Sequence, residues 1–444
     1  MSSIKTLRTK IFQKDTAPAF FLVLNTFVWY LLTFFTLSTI ISQESFKNQR
    51  LELFAVYFLG IAITAIIGSK VSSRARDSLL SAWLFLGVLA TFLLTMISAD
   101  SIVVNLLIVS FFGASIGLGL PSCLSYFAKS TSIEKRGLIG GTIWSTVGFS
   151  VLAIGFLTNM LGTFEAIIAL AIWRLIGGVI FVSLNKTHEK IEEQKSPSYL
   201  TLVRNKRILL YLLPWVMFSL INFAEAPMLE KFFGSDQFAL IQVAEFAFIG
   251  IFAFIGGFVA DIWGRKRVII AGFVLLGIEY ATLSAFSTSV DPTFLSYIFL
   301  TLDGITWGLL FSVFFTVIWG DLGENFQKEK LYALGGIPFL LAGFLSVLIV
   351  PSIDTNNLAT AFTIASFFLF VAVIPLMYAP ETLPEKAIKD RDLQSYIKKA
   401  QKISKKGDDK NDCKKSDKKE NEKEDEAKES SEDEAARKLA EKYY

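Results

Sequence analysis

Apolar runs of about twenty residues follow one another along this chain, and they restrict its fold more than any other feature. They lie roughly at 19–41, 51–69, 79–98, 102–128, 138–160, 164–184, 207–233, 236–260, 268–288, 293–320, 330–350 and 358–379. Of 444 residues, 53% are hydrophobic and 14% aromatic, more than a soluble core can hide. A bilayer offers no water to satisfy backbone groups, so runs of this length must be helices. The expected fold is an all-α membrane protein with twelve transmembrane helices, called spans one to twelve. Lys5, Arg8, Lys10 and Lys14 precede the first run. That run is longer than a signal core and lacks a small-residue cleavage site, so it reads as span one.

Charge in the loops sets the orientation. Lys70, Arg74 and Arg76 follow span two, and Lys129, Lys135 and Arg136 follow span four. Lys186, Lys190, Lys195, Arg204, Lys206 and Arg207 follow span six. Arg265, Lys266 and Arg267 follow span eight, and Lys328 and Lys330 follow span ten. The opposite loops hold only Lys47, Arg50 and Lys231, beside acids such as Asp100, Asp291 and Asp354. The positive-inside rule therefore places both termini in the cytoplasm of a multi-pass cell-membrane protein.

The chain also repeats itself at a separation of about 190–196 residues. Gly68…Arg76 aligns with Gly257…Arg265, and Glu134…Gly141 with Glu329…Gly336. Gly113-x-x-x-Gly117 aligns with Gly304-x-x-x-Gly308, and Pro18 and Asn25 with Pro214 and Asn222 to within a residue. Two pseudo-symmetric six-helix bundles follow. The expected divisions are an N-terminal segment 1–18, a first bundle 19–184, a cytoplasmic linker 185–206, a second bundle 207–379 and a charged tail 380–444. Rich in Lys, Glu and Asp, the tail reads as disordered, either a solubilising extension or a docking segment for a cytoplasmic partner.

The motif Gly257-x-x-x-Asp261-x-x-Gly264-Arg265-Lys266-Arg267 joins spans eight and nine. Its first-half copy is eroded: Ser72 stands in place of the Asp and Ala75 in place of the second Gly, while Gly68 and Arg76 keep register. Two homologous six-helix halves carrying this motif resemble the major facilitator superfamily, over residues from about 15 to 384. Glu134-Lys-Arg136-Gly137 resembles that family's stretch after helix four, and Pro380-Glu-Thr382 its sugar-porter ending. Several family features are missing. Ser110 to Gly113 carries no intramembrane Arg, Gly140 to Gly155 has no Gly-Pro pair, and the sugar porters' Arg-rich signature after span six is lacking. The resemblance implies a cytoplasmic latch made by Gly257, Asp261, Gly264, Arg265, Lys266 and Arg267 with Arg76 and Arg136. Asp261 is expected at the N-terminus of a neighbouring helix, span eleven, where the helix dipole favours a negative charge. Arg265 and Arg267 would bridge to acids such as Glu324.

Charges inside the spans cost at least ~2.5–3.5 kcal/mol each, so they are candidates for function. They are Arg174 in span six, Glu225 in span seven, Glu245 in span eight, Glu279 in span nine and Asp303 in span ten. Asn222 and Glu225 share a helix face at i, i+3, as do Gln242 and Glu245, and Asn25 offers a donor and an acceptor from the other half. By the resemblance, spans one, four, seven and ten line the central cavity. Asp303 and Glu225 would then form a site for a coupling proton, another cation or a cationic substrate. Arg174 and Glu279, on peripheral spans, would be structural, or Arg174 would bind an anion. Trp29, Tyr30, Trp144 and Trp307 would pack or stack on a ligand.

The single His188 and the cysteines Cys123 and Cys413 exclude a His/Cys metal cluster. The sequence has no nucleophile–base pair and no nucleotide-binding Gly-rich motif, which argues against an enzyme, an ATP-driven pump, a cofactor or a nucleic-acid partner. The expected function is secondary active transport of a small solute by alternating access, by a monomer in the bilayer. The alternative is a transporter-like sensor signalling through its tail.

Overall fold

The computed structural model describes residues 16–98, 100–185, 197–323, 328–349 and 357–384, together with Leu393 and Ile397; the side chains of 73–75 and 349 are not described. The chain divides into two units, 1–384 and 385–444. The architecture below is that of the first. The tail beyond Pro384 (Leu393 and Ile397 apart), most of the linker, Glu324, His188, Asp354 and Cys413 lie outside the described residues.

Among the described residues, twelve helices are long and apolar enough to cross a membrane. Spans one to six are Ala17–Ile41, Arg50–Ser72, Arg76–Met96, Ile102–Lys129, Ile133–Asn159 and Thr163–Leu184. Spans seven to twelve are Lys206–Phe233, Ser235–Trp263, Arg265–Phe286, Pro292–Leu322, Lys328–Leu348 and Leu358–Tyr378. Local signals set several of these ends. The Ser101 and Asn205 side chains cap spans four and seven, and Asp291 caps span ten ahead of Pro292. The tight connection between spans seven and eight is a single residue, Gly234, at φ +83°. Such a backbone strains any residue with a Cβ.

The repeat is visible in the packing. Gly113 and Gly117 of span four lie against the backbone of Tyr57 and Ile61 of span two. Gly304 and Gly308 of span ten lie against Phe248 and Phe252 of span eight in the same way. Each of these four pairs of positions is related by the same shift of 191 residues (248 less 57, for example). Small residues allow this close approach of helices where no hydrophobic force drives them together.

Spans two and three form one helical run, Arg50–Leu93. Its two arms nevertheless pack on span four in opposite senses. Tyr57 meets Gly113 and Gly68 meets Leu118, whereas Trp83 meets Gly119 and Ser98 bonds to Asn105. The chain therefore turns back between Ser72 and Arg76. Gly264 makes the equivalent turn in the second half at φ +100°. The backbone at Ala75 stays helical, so the glycine of the motif is not required there.

The halves meet along spans five and eight and along spans two and eleven. Midway, an aromatic cluster fills the interface. Trp144 stacks on Phe311 at 4.4 Å and packs against Phe27 at 4.7 Å, and its indole N–H donates to Thr316 Oγ1 at 2.5 Å. Trp144 is thus a packing residue of the interface. Thr316 lies in a π-helical segment, Leu310–Ile318, and its hydroxyl donates to Phe311 O five residues back.

Candidate functional site

Two polar assemblies stand out against this apolar frame. The first closes the interface at the end where the basic loops lie. Asp261, near the end of span eight, reaches into the other half. Its carboxylate accepts the Gly137 N–H at 3.0 Å and the Leu138 N–H at 2.7 Å. These are free donors in the first turn of span five, where the helix dipole favours a negative charge. The partner is therefore span five rather than the expected span eleven. The reason is steric: a Cβ on Gly137 would stand 2.6 Å from Gly257 O, so only paired glycines bring the two backbones this close.

Around that cap lies a buried ion network. Arg265 Nη2 donates to Asp261 Oδ1 at 3.3 Å and to Ile133 O, again across the halves. Its Nη1 stands 2.5 Å from Asp321 Oδ2, an ion pair rather than an aligned hydrogen bond. The other oxygen of Asp321 pairs with Arg136 Nη1. Arg136 is held in place by Thr131 Oγ1 at 3.1 Å and Ala128 O at 2.5 Å. Two arginines and two aspartates thus balance out of water, the condition for a buried network to be tolerable. Lys129 and Glu329 add a partly exposed inter-half pair at 2.8 Å.

The rest of the motif ties down span twelve. Glu381 accepts the N–H groups of Arg265 at 2.9 Å and Lys266 at 3.2 Å, the first turn of span nine. Lys266 Nζ donates to Met377 O and Ala379 O at the end of span twelve. Pro380 to Leu383 is therefore packed on the bundle. Arg267 is exposed. Arg76 is buried, contacts Asp77 at 3.4 Å and lies over the Tyr126 ring. Asp321, the hub of the network, is not among the residues that the sequence motif singles out. The available signal was an acid at a helix end among basic loops, three residues before Glu324.

The second assembly is a group of carboxyls inside the second half. Asp303 and Glu245 face each other within hydrogen-bond reach, and the Trp307 indole faces Asp303. Glu279 is buried, near both charges, and neither of its oxygens has a hydrogen-bond partner among the described residues. Glu225 is buried with one oxygen unpartnered. Tyr280, fully buried on span nine, lies within electrostatic reach of all four. The expected pairing of Asp303 with Glu225 thus gives way to Asp303 with Glu245, and Glu279 joins a group from which its peripheral span seemed to exclude it. Asn222 is half-buried and makes no hydrogen bond among the described residues.

Asn25 does not face Glu225. It serves Arg174, which is fully buried inside the first half. Arg174 Nη1 donates to Asn25 Oδ1 at 3.1 Å and to Thr26 Oγ1 at 3.0 Å. The guanidinium sits between the rings of Trp29 at 4.1 Å and Trp83 at 4.3 Å. Cation–π contact with two indoles stands where an acidic partner would. Among the described residues no group of His, Cys, Asp and Glu is arranged to hold a metal.

No family model matches the chain, and no curated protein matches it in sequence. Solved structures do. A crystal structure of a double-tryptophan variant of XylE is 16% identical, covering 87% of this chain and 99% of that one, with a TM-score of 0.66. XylE as the proton:xylose symporter bound to 6-bromo-6-deoxy-D-glucose is 16% identical over 83% of this chain and 96% of that one, with a TM-score of 0.61. The human organic anion transporter MFSD10 (TETRAN) is 14% identical over 82% of this chain and 99% of that one, with a TM-score of 0.63. At such identities the likeness shows the fold alone: this chain shares the twelve-helix fold of these solved structures.

Proposed function

We propose that the protein is a secondary active transporter of a small solute, driven by protons and working by alternating access, with both termini in the cytoplasm. Its fold supports transport, since similar solved structures are a proton:xylose symporter and an organic anion transporter. The observation that carries the coupling is the contact between Glu245 and Asp303. Two carboxyls in hydrogen-bond contact hold one proton between them, because two adjacent negative charges out of water repel strongly. Taking up and releasing that proton changes the charge of the second half. Glu279 and Tyr280 surround the pair and would relay or stabilise the proton.

The polar latch at the basic end is the part that must open in each cycle. It crosses the halves through Asp261, Arg136–Asp321 and Lys129–Glu329. At the opposite end the halves touch through rings, Phe35 on Phe246 and Phe58 on Phe344. Rocking would exchange one set of contacts for the other.

The test uses proteoliposomes holding a pH-sensitive dye, with a panel of metabolites added outside. A transported solute should draw protons inward with it. Glu245→Gln and Asp303→Asn should abolish proton movement while leaving solute exchange across the membrane. Proton movement unchanged in both variants would remove the coupling role. Solute binding without any flux would favour the sensor instead.

A further inference from the structure

A cavity of about 500 Å³ opens between spans one, five, six and eight, at the end away from the ion network. This size lies within the range of small-molecule sites. The cavity lies on the seam between the halves, where Phe35 and Phe246 stand edge to face across it at 6.0 Å. None of its lining residues is ionisable. A charged solute entering it would lose hydration and meet no opposite charge.

Its polar groups are specific about what they accept. Thr36, Thr39 and Thr158 donate their hydroxyls to Leu32 O, Phe35 O and Gly155 O of their own helices. They therefore offer only lone pairs to a ligand. The amides of Gln242 and Asn159 make no hydrogen bond among the described residues, so both donors and acceptors are available. Gln242 also stands one helical turn before Glu245, on the same face of span eight.

We infer that this cavity binds an uncharged, amphipathic solute, its apolar face against Phe35 and Phe246 and its hydroxyl or amide donors toward Gln242, Asn159 and the threonines. The inference rests on the transporter reading and sharpens it. A neutral solute leaves the carboxyls of Glu245 and Asp303, on spans eight and ten, to the coupling proton, with no cationic substrate to bind.

The experiment introduces Gln242→Cys into full-length protein carrying Cys413→Ser, in lipid nanodiscs; Cys123 is buried and stays. A control cysteine replaces Met160, which is exposed and outside the cavity. Three methanethiosulfonate reagents are compared: hydroxyethyl (neutral), trimethylammonium-ethyl (cationic) and sulfonatoethyl (anionic). Normalised to the control, the neutral reagent should react at position 242 at least about tenfold faster than either charged one. 3-Phenoxy-1,2-propanediol should slow the reaction, and phenoxyacetate should not. Asn159→Cys repeats the measurement should Gln242→Cys fail to fold. Equal rates for all three reagents overturn the inference. So does efficient labelling by a maleimide carried on a lipid acyl chain, which would make the cavity a lipid crevice. The labelling selectivity does not depend on proton flux, so the inference and the transporter reading can fail separately.

Discussion

Asp261 of the second half caps the α-helix that begins at Arg136 in the first half. Its carboxylate takes the Gly137 N–H at 3.0 Å, across 124 residues of sequence. A motif that reads as a turn between two spans is thereby a fastening between two halves.

Removing the charge of that cap should loosen the basic end. A hydrogen bond to a charged group contributes about 1.5–3 kcal/mol. Asp261→Asn should therefore shift the ratio of closed to open molecules by roughly tenfold to a hundredfold toward open. Spin labels at the exposed Lys135 and Arg267 would report the change as longer distances in pulsed EPR. Arg76→Gln should move them less, because it is Asp261 that takes the N–H groups of Gly137 and Leu138 across the halves. The reverse order would count against the latch.

Asp321 should be the costliest single loss in the network. Asp321→Asn leaves Arg136 and Arg265 without their shared acid, and breaking a buried pair from one side costs about 3–5 kcal/mol. The melting temperature in detergent should fall, and Arg136→Gln added to it should recover part of the loss. Simple additivity of the two changes would mean the pair is not coupled.

Gly257→Val tests the closeness of spans five and eight. A Cβ at Gly257 would already stand 2.9 Å from the Gly141 Cα, and the branched side chain adds two more carbons. The halves would have to separate there. The expected result is a closed state populated as poorly as in Asp261→Asn, read by the same EPR distances. Unchanged distances would show that the interface can absorb the bulk.

Arg174 gives an inverted expectation. Arg174→Lys keeps a buried charge but loses the planar group that lies between Trp29 and Trp83 and donates to Asn25 and Thr26. Arg174→Met removes both the charge and its desolvation cost. The lysine variant should therefore melt at the lower temperature, although it is the closer chemical match. If methionine is the more damaging, the charge itself holds the first half together.

Much of the fold was legible in the sequence because it is written locally. Hydropathy marks each span, and the observed ends differ by a few residues at most; the largest shift is at span five, which starts at Ile133 rather than 138. The Gly-x-x-x-Gly pairs at Gly113 and Gly304 align in the sequence, and in the structure each lies at an equivalent helix crossing. The residue types of the candidate sites were legible too, since a charge inside an apolar run is conspicuous. Glu245, Glu279 and Asp303 stand out one by one in the sequence, yet their grouping does not, and nothing local distinguishes Asp321 from Glu324 as the partner of the basic residues.

Hydropathy and the internal repeat are enough to mark which segments are helices, that they form two related halves, and which polar residues those helices must accommodate. Who meets whom emerges from the packing of the helices: Asp261 with span five, Asp321 with both Arg136 and Arg265, Asp303 with Glu245, Arg174 with two indoles. The physical reason is that helix formation depends on neighbours a turn away. Partner choice depends instead on how each helix is rotated about its axis and how closely its glycines let it approach, over separations such as the 185 residues between Arg136 and Asp321.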